Sequence, residues 1–460
     1  MDSRSLKFIA EACGAKILAG VPDAPVKNVC IDSRRAKPGD VFFAIKGENF
    51  DGHAFVNEVA QKKATAVVVE QKKVPQKLPG CAVLAVTDSV AALGQFAAAY
   101  RRDFTPPVAC VCGSNGKTTT KELIASVLRQ KFSTLSSEAS FNNNIGVPLT
   151  LLRMEKTHEA AVLEAGTNHP GELAPLVEMI RPSLGVLTNI GREHLEFFGD
   201  MDGVAREEGH LAQLLPPGGT LFVNGDNPWT PEVVRRTRAQ VVRVGLGEKN
   251  DWHAEKIRLD KNGVTFLAAA PEKGFGAEYR VPLLGRHQAL NALFAMALGA
   301  QVGMTTAQVQ RGLAECKPAK MRMQFWEAGG IRVLDDAYNA NADSMVAALE
   351  TLKDLPLQGR RVAVLGDMAE LGAHSEAAHA EVGRRAAELQ IGQLFAVGKM
   401  APVVAKAARD AGLSRVIEFE NVEAATKAVK SFLKSGDLVL LKASRSSRLE
   451  RIAETLKTEK

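Results

Sequence analysis

The chain has 460 residues, of which 46% are hydrophobic and 24% are charged. This composition is typical of a folded globular protein, and the length predicts about three domains. The formal net charge of +6 is small for this length and no dense basic block stands out, so the sequence argues against nucleic-acid binding. A modest positive charge also suits anionic small substrates.

Membrane insertion and secretion are also disfavoured. No apolar run approaches the roughly 20 residues that a membrane span needs, and the start, MDSRSLKFIAEACGAKILAG, lacks the apolar core of a signal peptide. The cysteines form no CxxC pair; they are Cys13, Cys30, Cys81, Cys110, Cys112 and Cys316. We expect them to be reduced, which favours the cytoplasm, and we prefer buried apolar side chains over a metal pair at Cys110 and Cys112.

The first hundred residues predict a small α/β unit. Strand patterns flank a Pro-Gly turn in NVCIDSRRAKPGDVFFAIKG, and the helix pattern VNEVAQKKA precedes the strand TAVVVE. SVAALGQFAAAYRRDF has helical periodicity, which Pro106 and Pro107 end. We therefore predict an N-terminal domain over residues 1–104.

From Val108 the pattern changes to strand, glycine-rich loop and helix. AAVLEAG, LGVLTNIG and GTLFVNGDN are short apolar runs that end in polar residues or glycine. Such runs predict a mostly parallel sheet with functional residues at the carboxyl ends of its strands. The helix pattern HQALNALFAMALGAQVG closes this central domain, which we place at residues 105–317.

A second break falls within CKPAKMRMQ, and the strand patterns IRVLDD, RRVAVLGDM, QLFAVG, RVIEFE and DLVLLKAS follow it between helical segments. These predict a C-terminal domain over residues 318–460. The predicted fold class is therefore α/β with three domains. They are a small α/β N-terminal module, a central, mostly parallel sheet of the phosphate-loop type, and a doubly wound, Rossmann-like C-terminal domain.

The stretch CGSNGKTTTKE, residues 112–122, predicts a phosphate-binding loop. Its strand and helix context is that of the signature G-x-x-x-x-G-K-[ST], although Val111 stands where the first glycine belongs. Free N–H groups at the start of a helix attract anions, Lys117 adds positive charge, and the Thr118 hydroxyl can reach a magnesium ion. A simple tight turn is the alternative, and Gly-Lys-Thr-Thr at a strand–helix junction disfavours it.

Two further strand ends carry candidate metal ligands. Glu164 ends the strand in AAVLEAG, and its carboxylate is expected to face the same crevice as the loop. His194 follows the strand in LTNIGREHLEFFG, and its neutral imidazole suits a second cation. The alternatives are a surface glutamate and a surface histidine.

Eight stretches resemble the Mur ligases, the ATP-dependent amino-acid-adding enzymes of bacterial cell-wall synthesis. The resemblance covers essentially the whole chain, and the stretches, in order, are GSNGKTTTK, FNNNIGVPLTLL, EAGTNHPGEL, LTNIGREHLEFFG, LGRHQALNAL, DDAYNANADSM, LGDMAELG and LKASRSSRLE. It implies that ATP phosphorylates a peptide carboxylate to an acyl phosphate, which an amine then attacks.

DDAYNANADSM and LGDMAELG favour the family member that joins D-alanyl-D-alanine to a UDP-N-acetylmuramoyl-tripeptide, the last cytoplasmic step of precursor synthesis. One alternative is a sister enzyme that adds a single amino acid to a shorter UDP-linked peptide or to folate. Another is a catalytically silent nucleotide-binding scaffold. We expect a monomer whose domains close around the substrates.

The resemblance implies roles for individual residues. It assigns Lys117, Glu164 and His194 to catalysis, and Thr118, Glu164 and His194 to magnesium, with two ions expected; Glu208 is a further catalytic candidate. The implied ATP contacts are Gly113, Ser114, Asn115, Gly116, Lys117, Thr118, Thr119, Asn291, Arg322, Asp336, Tyr338 and Asn339. The implied substrate contacts are Ser33, Arg34, His53, Asn143, Asn144, Thr167, Lys442, Ser444 and Arg445.

Glu208 marks a departure from the family pattern. In GVAREEGHL it stands where many family members have a lysine that carbon dioxide carbamylates. Our hypothesis is that the Glu208 carboxylate replaces the carbamate, directly or through a water. The alternative is a solvated helix residue.

Overall fold

The computed structural model describes residues 1–458, so the last two residues of the predicted C-terminal domain lie outside it. The strands are β1 Arg4–Ser5, β2 Lys16–Ala19, β3 Pro25–Val26, β4 Asn28–Cys30, β5 Asp40–Phe43, β6 Ala66–Glu70, β7 Ala82–Val86, β8 Val108–Cys112, β9 Thr134–Ser136, β10 Ala160–Glu164, β11 Leu184–Leu187, β12 Thr220–Asn224, β13 Gln240–Gly245, β14 Trp252–Asp260, β15 Gly263–Ala269, β16 Glu278–Val281, β17 Gln324–Ala328, β18 Ile331–Asp336, β19 Arg361–Gly366, β20 Gln393–Val397, β21 Val416–Phe419 and β22 Leu438–Lys442.

The α-helices are α1 Leu6–Cys13, α2 Val56–Gln61, α3 Ser89–Arg101, α4 Lys117–Leu128, α5 Gly146–Leu151, α6 Leu173–Ile180, α7 Leu195–Phe198, α8 Met201–Glu208, α9 His210–Leu214, α10 Thr230–Val234, α11 His287–Gln301, α12 Thr306–Glu315, α13 Ala342–Asp354, α14 Ser375–Glu388, α15 Ala401–Asp410, α16 Val422–Phe432 and α17 Glu450–Lys457. Short 3₁₀ turns lie at Ser33–Arg35, Gly52–Phe55, Gln71–Lys73, Gly372–His374 and Arg445–Ser447.

The chain forms two compact units. The first comprises Met1–Cys110, Phe132–Thr167 and Leu173–Ser183. Its main sheet has the strand order β2-β7-β6-β5-β4, in which β2 is antiparallel to β7 and the other neighbours are parallel. A parallel pair, β9 and β10, also belongs to this unit.

The second unit comprises Val111–Lys131, Asn168–Glu172 and the chain from Leu184 onward. Here β11, β12, β13 and β14 follow one another in parallel, and β14-β15-β16 continue as an antiparallel meander. A separate six-stranded sheet has the order β17-β18-β22-β19-β20-β21 and is parallel except for β17.

Continuous apolar runs explain the parallel strands. All residues of β8, VACVC, are buried, as are all residues of β22, LVLLK. A strand covered on both faces needs such a run, whereas the residues of β14 alternate between less and more exposed positions, as in an antiparallel strand with one solvated face. Gly113 follows β8 directly and has a φ of 115°, so the chain can turn sharply there.

The predicted fold class is confirmed, because the chain is α/β and its sheets are mostly parallel. The meander from β14 to β16 was not predicted. The division into three domains at 104 and 317 stays a prediction, since the contacts define two units whose boundaries fall elsewhere. Within residues 1–458, no helix is long and apolar enough to span a membrane.

Candidate nucleotide and metal site

The turn between β8 and α4 requires glycine at two positions. Gly113 and Gly116 have φ values of 115° and 81°, which side chains rarely adopt. A Cβ atom at Gly113 would lie 2.4 Å from the Thr188 Oγ1 atom, and one at Gly116 would lie 2.8 Å from the Asn291 Oδ1 atom. The glycines of the motif therefore let the loop pass close to its neighbours.

The segment that follows β11 braces this loop. The Ser114 N–H donates to the Asn189 carbonyl at 3.0 Å, and the Asn115 N–H donates to the Asn189 side-chain oxygen at 2.7 Å. The Gly191 N–H donates to the Ser114 hydroxyl oxygen at 2.8 Å, and the Thr188 hydroxyl donates to the Asn115 carbonyl at 2.6 Å. Two strand-end loops thus fix each other's backbone.

Lys117 and Thr118 begin α4. The Lys117 ammonium group curls back over the loop, donating to the Gly113 carbonyl at 2.5 Å and to a Glu193 oxygen at 3.4 Å. Thr118 is buried, and its hydroxyl oxygen has no hydrogen-bond partner among residues 1–458. A buried polar atom normally has a partner, so this hydroxyl suits a ligand at the loop.

Glu208 lies at the end of α8 with 1% of its surface exposed, so its interpretation as a solvated helix residue is wrong. Its carboxylate lies near Glu193, Lys117 and the Gly113 N–H, yet it makes no well-directed hydrogen bond with the described part of the chain. Burial raises the pKa of Glu208 well above its ordinary value; the charge on Glu193 adds to this effect, whereas Lys117 opposes it.

His194 stands directly before α7 with a left-handed backbone, φ 49°. Its Nδ1 atom is hydrogen-bonded to a carboxylate oxygen of Glu370, and its Nε2 atom lies 3.8 Å from a Glu193 oxygen. The hydrogen bond from His194 lowers the pKa of Glu370. One ring nitrogen is thus held by the C-terminal part of the chain, while the other lies on the side of Glu193 and the phosphate loop.

Glu164, in the first unit, is also buried at the end of its strand. The Asn142 amide donates to its Oε1 atom at 2.8 Å, whereas its Oε2 atom lacks a partner within the described residues. An unpaired, buried carboxylate oxygen is the kind of atom that binds magnesium. Its place opposite the phosphate loop stays a prediction.

The predicted nucleotide wall, which consists of Asp336, Tyr338 and Asn339, contains one partner of a buried ion pair. The Lys442 ammonium group donates to Asp336 Oδ2 at 2.5 Å and to the Asn339 carbonyl at 3.1 Å. Only 2% of Lys442 is exposed. The Arg322 guanidinium stacks over the Tyr338 ring at 4.1 Å. Lys442 therefore fixes the positions of Asp336 and Asn339 relative to each other.

A small cleft, partly open to solvent, lies beside the first turns of α4. Its lining includes Thr119, Gln288 and Arg322. Asn291 reaches Gln288, because its amide donates to the Gln288 side-chain oxygen at 2.9 Å. Of the predicted ATP contacts, Thr119 and Arg322 line this cleft, and Asn291 is hydrogen-bonded to the lining residue Gln288.

Ser444 and Arg445 follow β22. The Ser444 hydroxyl donates to the Ala340 carbonyl at 3.2 Å and accepts from the Ala369 N–H at 2.8 Å, so this buried side chain ties two loops together. Arg445 has 58% of its side chain exposed and lies 3.3 Å from Glu450. Of the three predicted dipeptide contacts, Arg445 is the one whose side chain reaches the solvent.

The predicted uridine-diphosphate contacts lie in the first unit and support their own loops. His53 is hydrogen-bonded to Asp51 through Nδ1 at 2.6 Å, and its Nε2 atom accepts from the Glu70 N–H at 3.0 Å. Arg34 pairs with Asp32 at 2.7 Å, and the Ser33 carbonyl accepts from Lys62. Since both nitrogens of His53 are engaged, its backbone or the loop that it holds is the better candidate for substrate contact.

The second predicted substrate group, Asn143, Asn144 and Thr167, also lies in the first unit. The Asn143 side-chain oxygen accepts from the Gly146 N–H at 2.9 Å and so supports the start of α5. Asn144 is exposed, and Thr167 is buried. Their contact with substrate stays a prediction.

Sequence reasoning missed several residues of the site, namely Arg192, Glu193 and Glu370. The first two lie within LTNIGREHLEFFG, where the sequence indicated Asn189 and His194, and Glu370 lies within LGDMAELG, so the motifs marked the segments without indicating these contacts. All six cysteines are buried, and the described residues contain no cluster of three or more His, Cys, Asp or Glu suited to a metal.

Three family models match the chain in order: the Mur ligase family catalytic domain at residues 25–101, the Mur ligase middle domain at 111–299, and the Mur ligase glutamate ligase domain at 321–445. A UDP-N-acetylmuramoyl-tripeptide–D-alanyl-D-alanine ligase of Bacillus subtilis is 34% identical over 99% of both chains.

Two solved structures are similar over most of the chain. One is a crystal structure of MurF from Acinetobacter baumannii, with a TM-score of 0.89 and 31% identity over 99% of both chains. The other is the MurF ligase of Thermotoga maritima in complex with ADP, with a TM-score of 0.81 and 28% identity over 94% of this chain and 98% of that one. With these matches along its whole length, the chain belongs to the Mur ligase family.

Proposed function

We propose that this chain is an ATP-dependent ligase that joins D-alanyl-D-alanine to a UDP-N-acetylmuramoyl-tripeptide in peptidoglycan precursor synthesis. Its B. subtilis relative is named for this reaction and spans the same length. The observation that carries the proposal is the braced Gly113–Gly116 turn, which leads into Lys117 and Thr118 at the start of a helix.

ATP binding follows from the chemistry of the second unit. The phosphates suit the N–H groups and Lys117 at the start of α4, where the helix dipole favours anions. We propose that the adenosine end lies beside Arg322, on the side of Asp336, Tyr338 and Asn339. We propose that Asn291, which lies against Gly116 and donates to Gln288, holds the glycine turn and the cleft at a fixed distance from each other.

The reaction needs a leaving group, because a free carboxylate is a poor acyl donor. The tripeptide carboxylate takes the γ-phosphoryl group of ATP, which gives ADP and an acyl phosphate. The amine of D-alanyl-D-alanine then attacks the acyl carbon, an amide bond forms, and inorganic phosphate leaves with one oxygen of the original carboxylate. The protein positions the reactants and neutralises charge, which is where most of the catalysis of phosphoryl transfer lies.

Magnesium would be held by Thr118, Glu164 and His194, and two ions are proposed. The fit rests on the buried, unpartnered oxygens of Thr118 and Glu164 within residues 1–458 and on the Nε2 side of His194. Sparse protein ligands suit magnesium, which usually keeps waters and phosphate oxygens in its shell. When bound, the ions would reduce the repulsion between the triphosphate and the tripeptide carboxylate.

We propose that Glu208 supplies the carboxylate that a carbamylated lysine supplies in other family members. Its burial beside Lys117 and Glu193 supports a place in the site. Glu208→Lys tests this: activity should fall or become bicarbonate-dependent. Unchanged activity without bicarbonate would refute the replacement.

We propose further that residues 1–104 bind the UDP end through the loops of Ser33, Arg34 and His53, and that Asn143, Asn144 and Thr167 of the central domain, 105–317, contact the tripeptide. The C-terminal domain, 318–460, would bind the dipeptide carboxylate through Arg445, with Lys442 and Ser444 shaping the pocket. Arginine suits a carboxylate because of its fork of donors. We expect the enzyme to act as a cytoplasmic monomer.

A phosphate-release assay with separate amines tests the proposal. UDP-N-acetylmuramoyl-tripeptide plus D-alanyl-D-alanine should give turnover, while D-alanine alone should not. Turnover with a single amino acid on a shorter UDP-linked peptide or on folate would favour a sister ligase. ATP binding without turnover would favour a scaffold. Lys117→Ala is the negative control, and it should lose phosphate release with every amine.

A further inference from the structure

Glu370 approaches His194 from the segment that follows β19. The Glu370 carboxylate accepts the hydrogen bond of His194 Nδ1, and the Glu370 backbone carbonyl accepts from the Glu196 N–H at 3.1 Å. The two residues are 176 positions apart in the chain. A side-chain and a main-chain contact together fix this approach.

The backbones of both partners are strained. His194 and Glu370 have φ values of 49° and 60°, in the left-handed region that non-glycine residues seldom occupy. Strain of this kind persists where surrounding contacts determine it, and it concentrates at functional sites. Two such residues that face each other indicate that their contact is a built feature.

The glycine two positions after Glu370 explains how the loops come this close. Gly372 has a φ of 49°, and a Cβ atom there would lie 3.2 Å from the Glu196 Cα atom. A side chain at position 372 would therefore crowd α7, which starts directly after His194. The loop is shaped to bring the Glu370 carboxylate onto the imidazole.

An ionised carboxylate can only accept hydrogen bonds, so Nδ1 of His194 carries the proton in this contact. Nε2 then lies on the Glu193 side at 3.8 Å, and the same Glu193 oxygen lies 3.4 Å from the Lys117 ammonium. The Phe198 ring packs edge-on to the imidazole with centroids 6.3 Å apart. The ring is therefore held with its second nitrogen toward the phosphate-loop side.

We propose that Glu370 is a positioning residue for His194: it fixes the Nδ1–H form and leaves the Nε2 lone pair for the cation at the phosphates. A hydrogen bond that holds one imidazole nitrogen decides which nitrogen binds a metal. Because Glu370 belongs to the C-terminal segment, this segment must dock before the histidine is set. The inference rests on the proposed role of His194.

Three variants test the proposal. Glu370→Ala removes the acceptor, Glu370→Gln keeps an acceptor oxygen of the same reach, and Glu388→Ala is a matched control. Glu388 lies in the same segment, is 57% exposed and pairs with Arg385. The readouts are the ¹⁵N shifts of the His194 ring, assigned with His194→Gln, manganese affinity with a non-hydrolysable ATP analogue, and kcat against KM.

Glu370→Ala should lose the fixed Nδ1–H form and weaken manganese binding or kcat by about 10–100-fold. Glu370→Gln should keep the tautomer and recover most of the loss, and Glu388→Ala should match the wild type. Wild-type ring shifts in Glu370→Ala would overturn the proposal, as would an altered tautomer without any change in manganese affinity and kcat. The ring shifts and manganese affinity do not need the proposed amine substrate, so failure of the proposed function would be seen separately as absent wild-type turnover.

Discussion

Arg192 joins the loop of His194 to two helices of the C-terminal segment. Its Nε and Nη2 atoms donate to Asp343 Oδ1 at 2.8 and 2.6 Å, and its backbone N–H donates to Asp343 Oδ2 at 2.8 Å. Its Nη1 atom donates to Glu381 Oε2 at 2.5 Å. Asp343 lies on α13 and Glu381 on α14. We therefore predict that Arg192→Ala loosens the docking of this segment.

The solvent exposure of the three side chains determines how much the docking equilibrium should change in Arg192→Ala. The side chains of Arg192, Asp343 and Glu381 are 33%, 35% and 38% exposed, so solvent screens the pairs in part. The contacts raise the pKa of Arg192 and lower that of Glu381, which agrees with mutual stabilisation. Two partly screened, charge-assisted contacts amount to about 1–3 kcal/mol, which is roughly a 5- to 150-fold shift in the docking equilibrium.

Small-angle scattering and amide hydrogen exchange at the start of α13 measure this shift, with and without an ATP analogue. Arg385→Ala is the matched control, because Arg385 also bridges two glutamates, Glu350 at 2.8 Å and Glu388 at 3.0 Å, but within the C-terminal segment. Arg192→Ala should increase the radius of gyration and speed exchange without analogue, and it should raise the KM for ATP.

Two results would refute the reasoning. If Arg192→Ala and the wild type share the same radius of gyration and exchange rates, the contact does not hold the segment. If Arg385→Ala opens the protein equally, the effect comes from general destabilisation.

Further predictions concern the loop, the buried carboxylate and pH. Gly113→Ala should lower the free energy of unfolding by about 1–3 kcal/mol through its clash with Thr188 and weaken ATP binding, whereas Gly412→Ala, with φ 96° and open space, should cost less in denaturant unfolding. Glu208→Gln should raise stability by about 1–3 kcal/mol at pH 7 and lower turnover. The pKa of Glu208 is higher in the folded protein than in the unfolded chain. Its contribution to stability is therefore fully present at pH values below the ordinary glutamate pKa, and it is lost as the pH rises through the raised pKa of the folded protein. Burial lowers the pKa of His379, so the stability that its neutral form contributes above the ordinary pKa is lost as pH falls from that value through the lowered folded pKa. The decrease in urea midpoint from pH 8 to 5.5 should therefore be smaller in His379→Gln.

Local patterns made the phosphate loop predictable. A buried strand, two glycines and a helix start lie within one continuous stretch, and each residue type has a direct physical role there. The parallel strands were visible for the same reason, because burial on both faces requires unbroken apolar runs. The meander was harder to predict, since alternating patterns such as β14 also occur in irregular surface segments.

Long-range pairs could not be predicted from the sequence. Arg192 and Asp343 are 151 positions apart, and Asp336 and Lys442 are 106 apart. Which charged side chains meet depends on how the sheets and loops pack, and no local pattern records this. The resemblance therefore assigns Lys442 to substrate, whereas its ammonium group donates to Asp336 and to the Asn339 carbonyl.

The most direct test of the central claim follows one oxygen atom. A UDP-N-acetylmuramoyl-tripeptide labelled with ¹⁸O in its terminal carboxylate is incubated with ATP and D-alanyl-D-alanine, and the released phosphate is analysed by mass spectrometry. An acyl phosphate predicts one ¹⁸O atom from the carboxylate in each phosphate released. Unlabelled phosphate together with amide product would contradict the account.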